Sequence, residues 1–263
     1  MRSAFDALVR WGLLGIILVW TTFPIIYMVL GSFKPPAEVW AYPPQFLGTM
    51  TTQNYAEIMR FNPTFFANML NSMLVTLYGV ILTLLAALGA AFVFARMRVG
   101  WLRLPAFFLI AIRMFPPIVV IIPLFPLMSA LGLLDTLTPL VLAGAAFGVS
   151  IATLLLKAFI DDIPVELEEA ALIDGCTKFQ AFYRITLPLI APGLGAVVVF
   201  TAVGLWNEYL FPLVFTSSEA RTAPVTIAIA INNVEGVRWG MLLAMSTIHC
   251  SPWSSSSCWS TSS

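Results

Sequence analysis

Three stretches of this chain, 11–33, 71–95 and 136–156, contain no charged residue, and two more, 104–128 and 193–215, contain one each. A helix needs about 20 apolar residues to cross the hydrocarbon core of a bilayer. Inside lipid every backbone N–H and C=O must find its partner within the protein, which leaves helices and closed barrels as spanning elements. Five such stretches, and a sixth opening near Trp239, predict an all-α, polytopic integral membrane protein of about six spans. Composition agrees: 60% of the 263 residues are hydrophobic and 10% charged, against about 25% charged in a soluble domain.

The same composition excludes several functions. Thirteen basic residues balance thirteen acidic ones, so nothing electrostatic favours a nucleic-acid partner. Cys176, Cys250 and Cys258 form neither a disulfide framework nor a metal-binding spacing, and His249 is the only histidine; no metal site is expected. The clustered nucleophiles, bases or ligands that a membrane enzyme needs are not visible. Arg2 and Arg10 precede the first apolar stretch as in a signal peptide. No small-residue cleavage site follows, so 11–33 reads as a retained span.

Basic residues orient the spans. With the N-terminus in the cytoplasm, Arg2, Arg10, Arg96, Arg98, Arg103, Lys157, Lys178 and Arg184 lie inside, and Lys34, Arg60, Arg221 and Arg238 outside. The reverse orientation would invert that bias. Residues 34–70 then form a long external loop, broken by Pro35, Pro36, Pro43, Pro44 and Pro63 and carrying the interfacial aromatics Trp40, Tyr42, Phe46 and Tyr55. Two roles fit it, a solvated spacer or a surface touching an external partner.

The main polar interruption is 159–192, on the cytoplasmic side. Asp161 and Asp162 can cap a helix with Pro164 in its first turn. Glu166, Glu168 and Glu169 in its first half suit the helix dipole. Gly175 suits a left-handed stop. A second helix is expected over 178–187, with Phe179, Phe182, Tyr183 and Thr186 at helical spacing, ended by Pro188 and Pro192. Ala170 and Ala171 leave room for a protein surface to approach, and Glu169 can accept a charge-assisted hydrogen bond from an arginine of that surface.

Glu169-Ala170-Ala171, three residues, Gly175, nine residues, then Ile185-x-Leu187-Pro188 closely resembles the cytoplasmic loop of permease subunits in binding-protein-dependent ABC importers, with every fixed position met. The resemblance implies that this loop is the coupling helix that fits a cleft of an ATP-binding subunit. It implies coupling roles for Glu168, Glu169, Ala170, Ala171, Asp174 and Gly175, with Glu169 pairing to basic residues there. It also implies the partners: a second permease subunit, an ATP-binding subunit dimer that carries ATP and Mg, an extracytoplasmic solute-binding protein, and membrane lipid. This chain lacks a phosphate-binding Gly-x-x-x-x-Gly-Lys-Ser/Thr run, so it is expected to bind no cofactor and to be no enzyme. The implied location is the cytoplasmic (inner) membrane of a bacterium or archaeon.

Two polar intrusions in the spans are candidates for the solute path. Arg113 lies nine residues past Leu104, about 14 Å along a helix and so near the bilayer midplane, where an ionisable residue faces a cavity, pairs or snorkels. Pro116, Pro117, Pro123 and Pro126 would kink or break its helix. Trp206, Asn207 and Glu208 offer an aromatic face and hydrogen-bonding groups suited to a sugar, or polar groups for helix packing. A Trp-Asn-Glu stretch followed by an aromatic and Leu, here Tyr209 and Leu210, resembles the sugar-importing branch. Outside, 217–238 with Pro224, Asn232, Asn233 and Glu235 would lie near the binding protein.

The resulting division is 1–33 (cytoplasmic N-terminus and first span), 34–70 (external loop), 71–248 (permease core, with the coupling loop at 159–192) and 249–263. That last segment, rich in Ser, Cys and Trp, departs from the family, whose members complete a sixth apolar helix and end on a short basic segment. Leucine-rich codons read out of frame yield such a tail, so a frameshift and an incomplete sixth helix are expected. The functional expectation is a permease subunit moving a sugar or polyol by alternating access. The alternatives are an importer of another solute class or a stand-alone secondary transporter, for which Glu208 would be the only intramembrane carboxylate and no internal repeat is seen.

Overall fold

The computed structural model describes residues 2–43, 48–97, 100–231 and 236–256, with the side chains of 2–8, 103 and 253–256 outside the description. Pro44, Phe46, Arg98, Asn232, Asn233, Glu235 and the tail from 257 therefore lie outside the described residues. The described residues are helical or irregular, with no strand among them.

Four helical stretches are long and apolar enough to span a membrane: Val9–Ser32, Phe65–Arg96, Leu137–Asp161 and Ala191–Phe215. The first belongs to α1 (Arg2–Ser32), whose side chains from Val9 to Tyr27 are almost all exposed, with only Thr22 part-buried. A surface that apolar is stable only against lipid or another protein. Between it and the second long helix lie α2 (Pro36–Val39) and α3 (Gln53–Phe61). The second, α4 (Phe65–Arg96), extends six residues before the expected start of its span.

The expected third span is two helices, α5 (Arg103–Met114) and α6 (Pro117–Ala130), bent by 99°. The cause is local. Pro116 forces Phe115 out of the helical region, to φ −80° and ψ 127°, and Pro117 opens the next helix at a position that needs no N–H donor. Pro123 and Pro126, by contrast, sit inside α6 without ending it. After α7 (Leu137–Asp161) come α8 (Val165–Ile173), α9 (Lys178–Ala181), a π turn (Phe182–Thr186), α10 (Leu187–Leu189), α11 (Ala191–Trp206), α12 (Leu210–Phe215), α13 (Ala223–Ile231) and α14 (Trp239–Ser256). The helix α14 continues past Ile248 through Pro252, yet it is not among the helices apolar enough to span.

The chain divides into two compact units, 1–69 with 226–263, and 70–225. In the first, buried Asn54 donates through Nδ2 to the carbonyls of Ser32 (2.8 Å) and Lys34 (2.7 Å). Asn68 donates to Thr226 Oγ1 at 2.7 Å, and the Arg238 guanidinium stacks 3.7 Å above the Phe61 ring. The second unit has one apolar cluster around Ala87, Ala91, Ala152, Leu156, Ile160 and Val197, and another around Val75, Ile121, Leu140, Phe211 and Phe215. Helices α7 and α11 approach closely at Gly193, where a Cβ would come within 2.5 Å of the Phe159 ring.

Candidate functional site

The polar segment 159–192, expected from sequence to be a coupling loop, is built by three local devices. Helix α8 begins after Pro164, which holds the extended φ −55°, ψ 129° of an N-cap. Asp161 and Asp162 do not cap it: α7 runs through Asp161, which pairs with Lys157 one turn back, and Asp162 closes α7. Helix α8 ends in a Schellman turn, with Cys176 N–H donating to the Ala171 carbonyl at 2.9 Å and Gly175 N–H to that of Leu172 at 3.1 Å. Gly175 adopts φ +88°, a conformation that a side chain would strain.

Helix α9 starts on a capping box that the sequence reading missed. Gln180 N–H donates to Thr177 Oγ1 (3.3 Å), and Thr177 N–H donates back to Gln180 Oε1 (2.8 Å). The expected single helix over 178–187 is instead one turn of α-helix, a π turn and α10. Pro188 is tolerated in the first turn of α10, and Pro192 opens α11.

The six residues expected to couple do not share one surface. Glu169, Ala170, Asp174 and Gly175 are exposed, whereas Glu168 and Ala171 are buried. One helical turn explains this, since positions 168 and 171 are three apart and fall on the inner face. None of the described residues hydrogen-bonds or pairs with the Glu169 carboxylate. Leu172 and Ile173, three and four residues further along the same helix, are exposed too, Ile173 at 86%, as are Phe179 and Tyr183 in the segment that follows. Exposed apolar side chains outside the spans are the kind of surface that another protein covers. Glu168 turns inward: its Oε1 accepts from Arg96 Nε at 3.0 Å and from Thr186 Oγ1 at 2.8 Å. Of the residues expected to couple, Glu168 and Ala171 therefore lie on the inner face of α8.

Within 70–225 a cavity of about 120 Å³ brings together two of the four solute-path candidates, Arg113 and Glu208, with Phe147, Gly148 and Thr201. Arg113 lies in the last turn of α5, just before the bend, and no described residue pairs with its guanidinium. Glu208 lies where α11 gives way to α12, and its Oε1 accepts from the N–H groups of Leu210 (2.8 Å) and Phe211 (3.4 Å). The carboxylate thereby supplies the first turn of α12 with acceptors. Trp206 and Asn207 do not line the cavity. Trp206 is 4% exposed, and Asn207 Nδ2 donates back to the Val203 carbonyl at 2.9 Å. The Thr201 hydroxyl, which sequence reading passed over, is buried without a hydrogen-bond partner among the described residues. A threonine in an apolar span carries no pattern that announces this.

On the face opposite the coupling segment in the predicted topology, Asp135 organises a turn. It holds φ +58° and accepts from the N–H groups of Ser217, Ser218, Glu219 and Ala220 and from the hydroxyls of Ser217 and Ser218, at 2.8–3.2 Å. Burial opposes ionisation, but the donors from Ala220, Ser217 and Glu219 outweigh it and hold the carboxyl well below the usual aspartate range.

Residues 79–249 match the family described as binding-protein-dependent transport system inner membrane component. The sulfoquinovosyl glycerol transport system permease protein SmoH of Agrobacterium fabrum is 36% identical over 215 residues, 81% of this chain and 75% of the relative. The trehalose transport system permease protein SugB of Mycobacterium tuberculosis is 34% identical over 220 residues, 83% of this chain and 80% of the relative. The fold is similar to that in the crystal structure of a bacterial ABC transporter involved in import of the acidic polysaccharide alginate. That match has a TM-score of 0.78 and 24% identity and covers 98% of both chains. Its apolar helices and these matches make the chain a multi-pass membrane protein that belongs to the family of binding-protein-dependent transport system inner membrane components.

Proposed function

We propose that this chain is one of two membrane subunits of an ATP-driven importer for a sugar or polyol, working by alternating access. The observation that carries the reading is the exposed Glu169, without a partner among the described residues, on a short helix between spans α7 and α11 that also exposes Leu172 and Ile173. In the bilayer such a surface faces neither lipid nor the chain's own core, so its natural cover is a soluble partner.

The partner would be a dimer of ATP-binding subunits, holding ATP and Mg and supplying the hydrolysis. Closure of that dimer would move α8 and open the spans outward, where a solute-binding protein delivers its load. The N-terminus would lie in the cytoplasm, consistent with the basic residues of the predicted inner loops. Two relatives named for sugar-derived solutes support a carbohydrate cargo. The cavity chemistry supports the same class: a guanidinium, a carboxylate and a hydroxyl around a small space suit polyhydroxyl recognition.

Affinity purification from native membranes in mild detergent, with partners identified by mass spectrometry, tests the reading. An ATP-binding subunit, a sister permease and a solute-binding protein are expected to co-purify, and Glu169→Lys is expected to lower recovery of the ATP-binding subunit at least tenfold. Recovery of the wild-type chain without any ATPase would overturn it.

A further inference from the structure

We propose that Arg96, Glu168 and Thr186 form a strut that carries movement of the coupling helix into the spans, with Glu168 as a positioning residue. The proposal rests on the importer reading and adds to it the load path inside this chain.

One carboxylate oxygen joins three elements. Glu168 Oε1, on α8, accepts from Arg96 Nε at the last residue of α4 and from Thr186 Oγ1 at the last residue of the π turn. Arg96 Nη2 also donates to the Ile163 carbonyl, at 3.0 Å, in the link that leads from α7 to α8. The side chains of Arg96 and Glu168 are 11% and 10% exposed, and Thr186 is fully buried.

The covalent path from α8 toward α11 is not one continuous helix. Toward α11 the chain passes through Gly175 at φ +88° and then through a π turn, whose wider hydrogen-bond register interrupts the helix. A push on the outer face of α8 would be absorbed in bending those joints. The Arg96–Glu168–Thr186 bonds bypass the joints and tie α8 to the end of a 32-residue helix, about 48 Å long. An ion pair taken out of water is a poor way to gain stability, since an apolar pair of equal volume commonly does as well. Its distinctive property is directional: charge-assisted hydrogen bonds hold three elements in one register.

The test uses the assembled transporter with native cysteines replaced by serine and nitroxides at Leu77 on α4 and Val199 on α11, both exposed. Their distance distribution is measured by pulsed electron resonance with and without ATP and vanadate. The wild-type assembly is expected to shift its distribution on trapping. In Glu168→Ala the shift should fall by more than half, while the ATP-binding subunit still co-purifies and still traps nucleotide. The Arg96→Ala/Glu168→Ala double variant should be no worse than the single one, and the exchange Arg96→Glu with Glu168→Arg should recover part of the shift.

A full shift in Glu168→Ala overturns the strut, as does a shift lost only together with the ATP-binding subunit, which would make Glu168 a docking or folding residue. If Glu168→Ala does not assemble, Thr186→Val removes one bond without emptying the site and is read by the same criteria. Absence of an ATPase from the wild-type assembly instead defeats the importer reading itself.

Discussion

Two carboxylates of this chain, Asp135 and Glu168, are held by hydrogen bonds to partners far away in sequence, and each sets a testable dependence. Asp135→Asn should lower the thermal midpoint at pH 7 by about 2–4 °C, the shift expected for loss of about 1 kcal/mol in a chain of this size. The sign with pH follows from the depressed carboxyl. Its stabilisation is fully present above the unfolded aspartate value, about 3.9, and declines as pH falls from there toward the folded value. Melting curves of wild type and Asp135→Asn should therefore differ constantly between about pH 5 and 8 and converge only below about pH 4. A gap that closes at pH 6 would contradict the assignment. Glu169 stands out in sequence through a local pattern of fixed spacing, and the structure leaves it exposed. The role of Glu168 was not legible in sequence, because its main partner is 72 residues away and no short pattern links the two.

At the scale of elements, the segment from α8 to α10 depends on turns rather than on helix propensity, since α8 has nine residues and α9 four, too few to be stable alone. Gly175→Ala should destabilise by about 1 kcal/mol through its positive φ, and Thr177→Ala by about 1 kcal/mol through loss of the capping box. Both should weaken recovery of an ATP-binding subunit more than they lower the midpoint of the whole chain, because the damage is local. Pull-down yield beside a melting curve checks this. Gly193→Ala should act differently: a methyl group aimed at the Phe159 ring forces α7 and α11 apart, costing about 1–3 kcal/mol, and should lower the midpoint itself. The left-handed stop at Gly175 could be read from sequence, since it rests on one residue's backbone limits, whereas four prolines were candidates for the break in 104–128 and the structure uses only Pro116 and Pro117. The π turn could not, because Phe182, Tyr183 and Thr186 keep ordinary helical spacing.

For the whole molecule, charge distribution predicts which side each loop faces. Ile173→Cys, with native cysteines replaced by serine, should react with a membrane-impermeant maleimide in inverted vesicles and not in intact spheroplasts, and Ser218→Cys should do the reverse. Like reactivity of both from one side would refute the topology. The all-helical membrane fold needed only the sequence: long runs without charge leave the backbone no water to bond, so helix formation follows wherever such a run occurs. The helix end at Gly175, with its strong local signal, was equally contained in it. Tertiary structure alone decided which polar groups meet. It put Arg113 and Glu208 on one cavity while burying Trp206 away from it, and it turned Glu168 inward while leaving Glu169 outside. Those outcomes depend on how helices rotate against one another, and packing sets that rotation through contacts between residues that no local sequence rule relates.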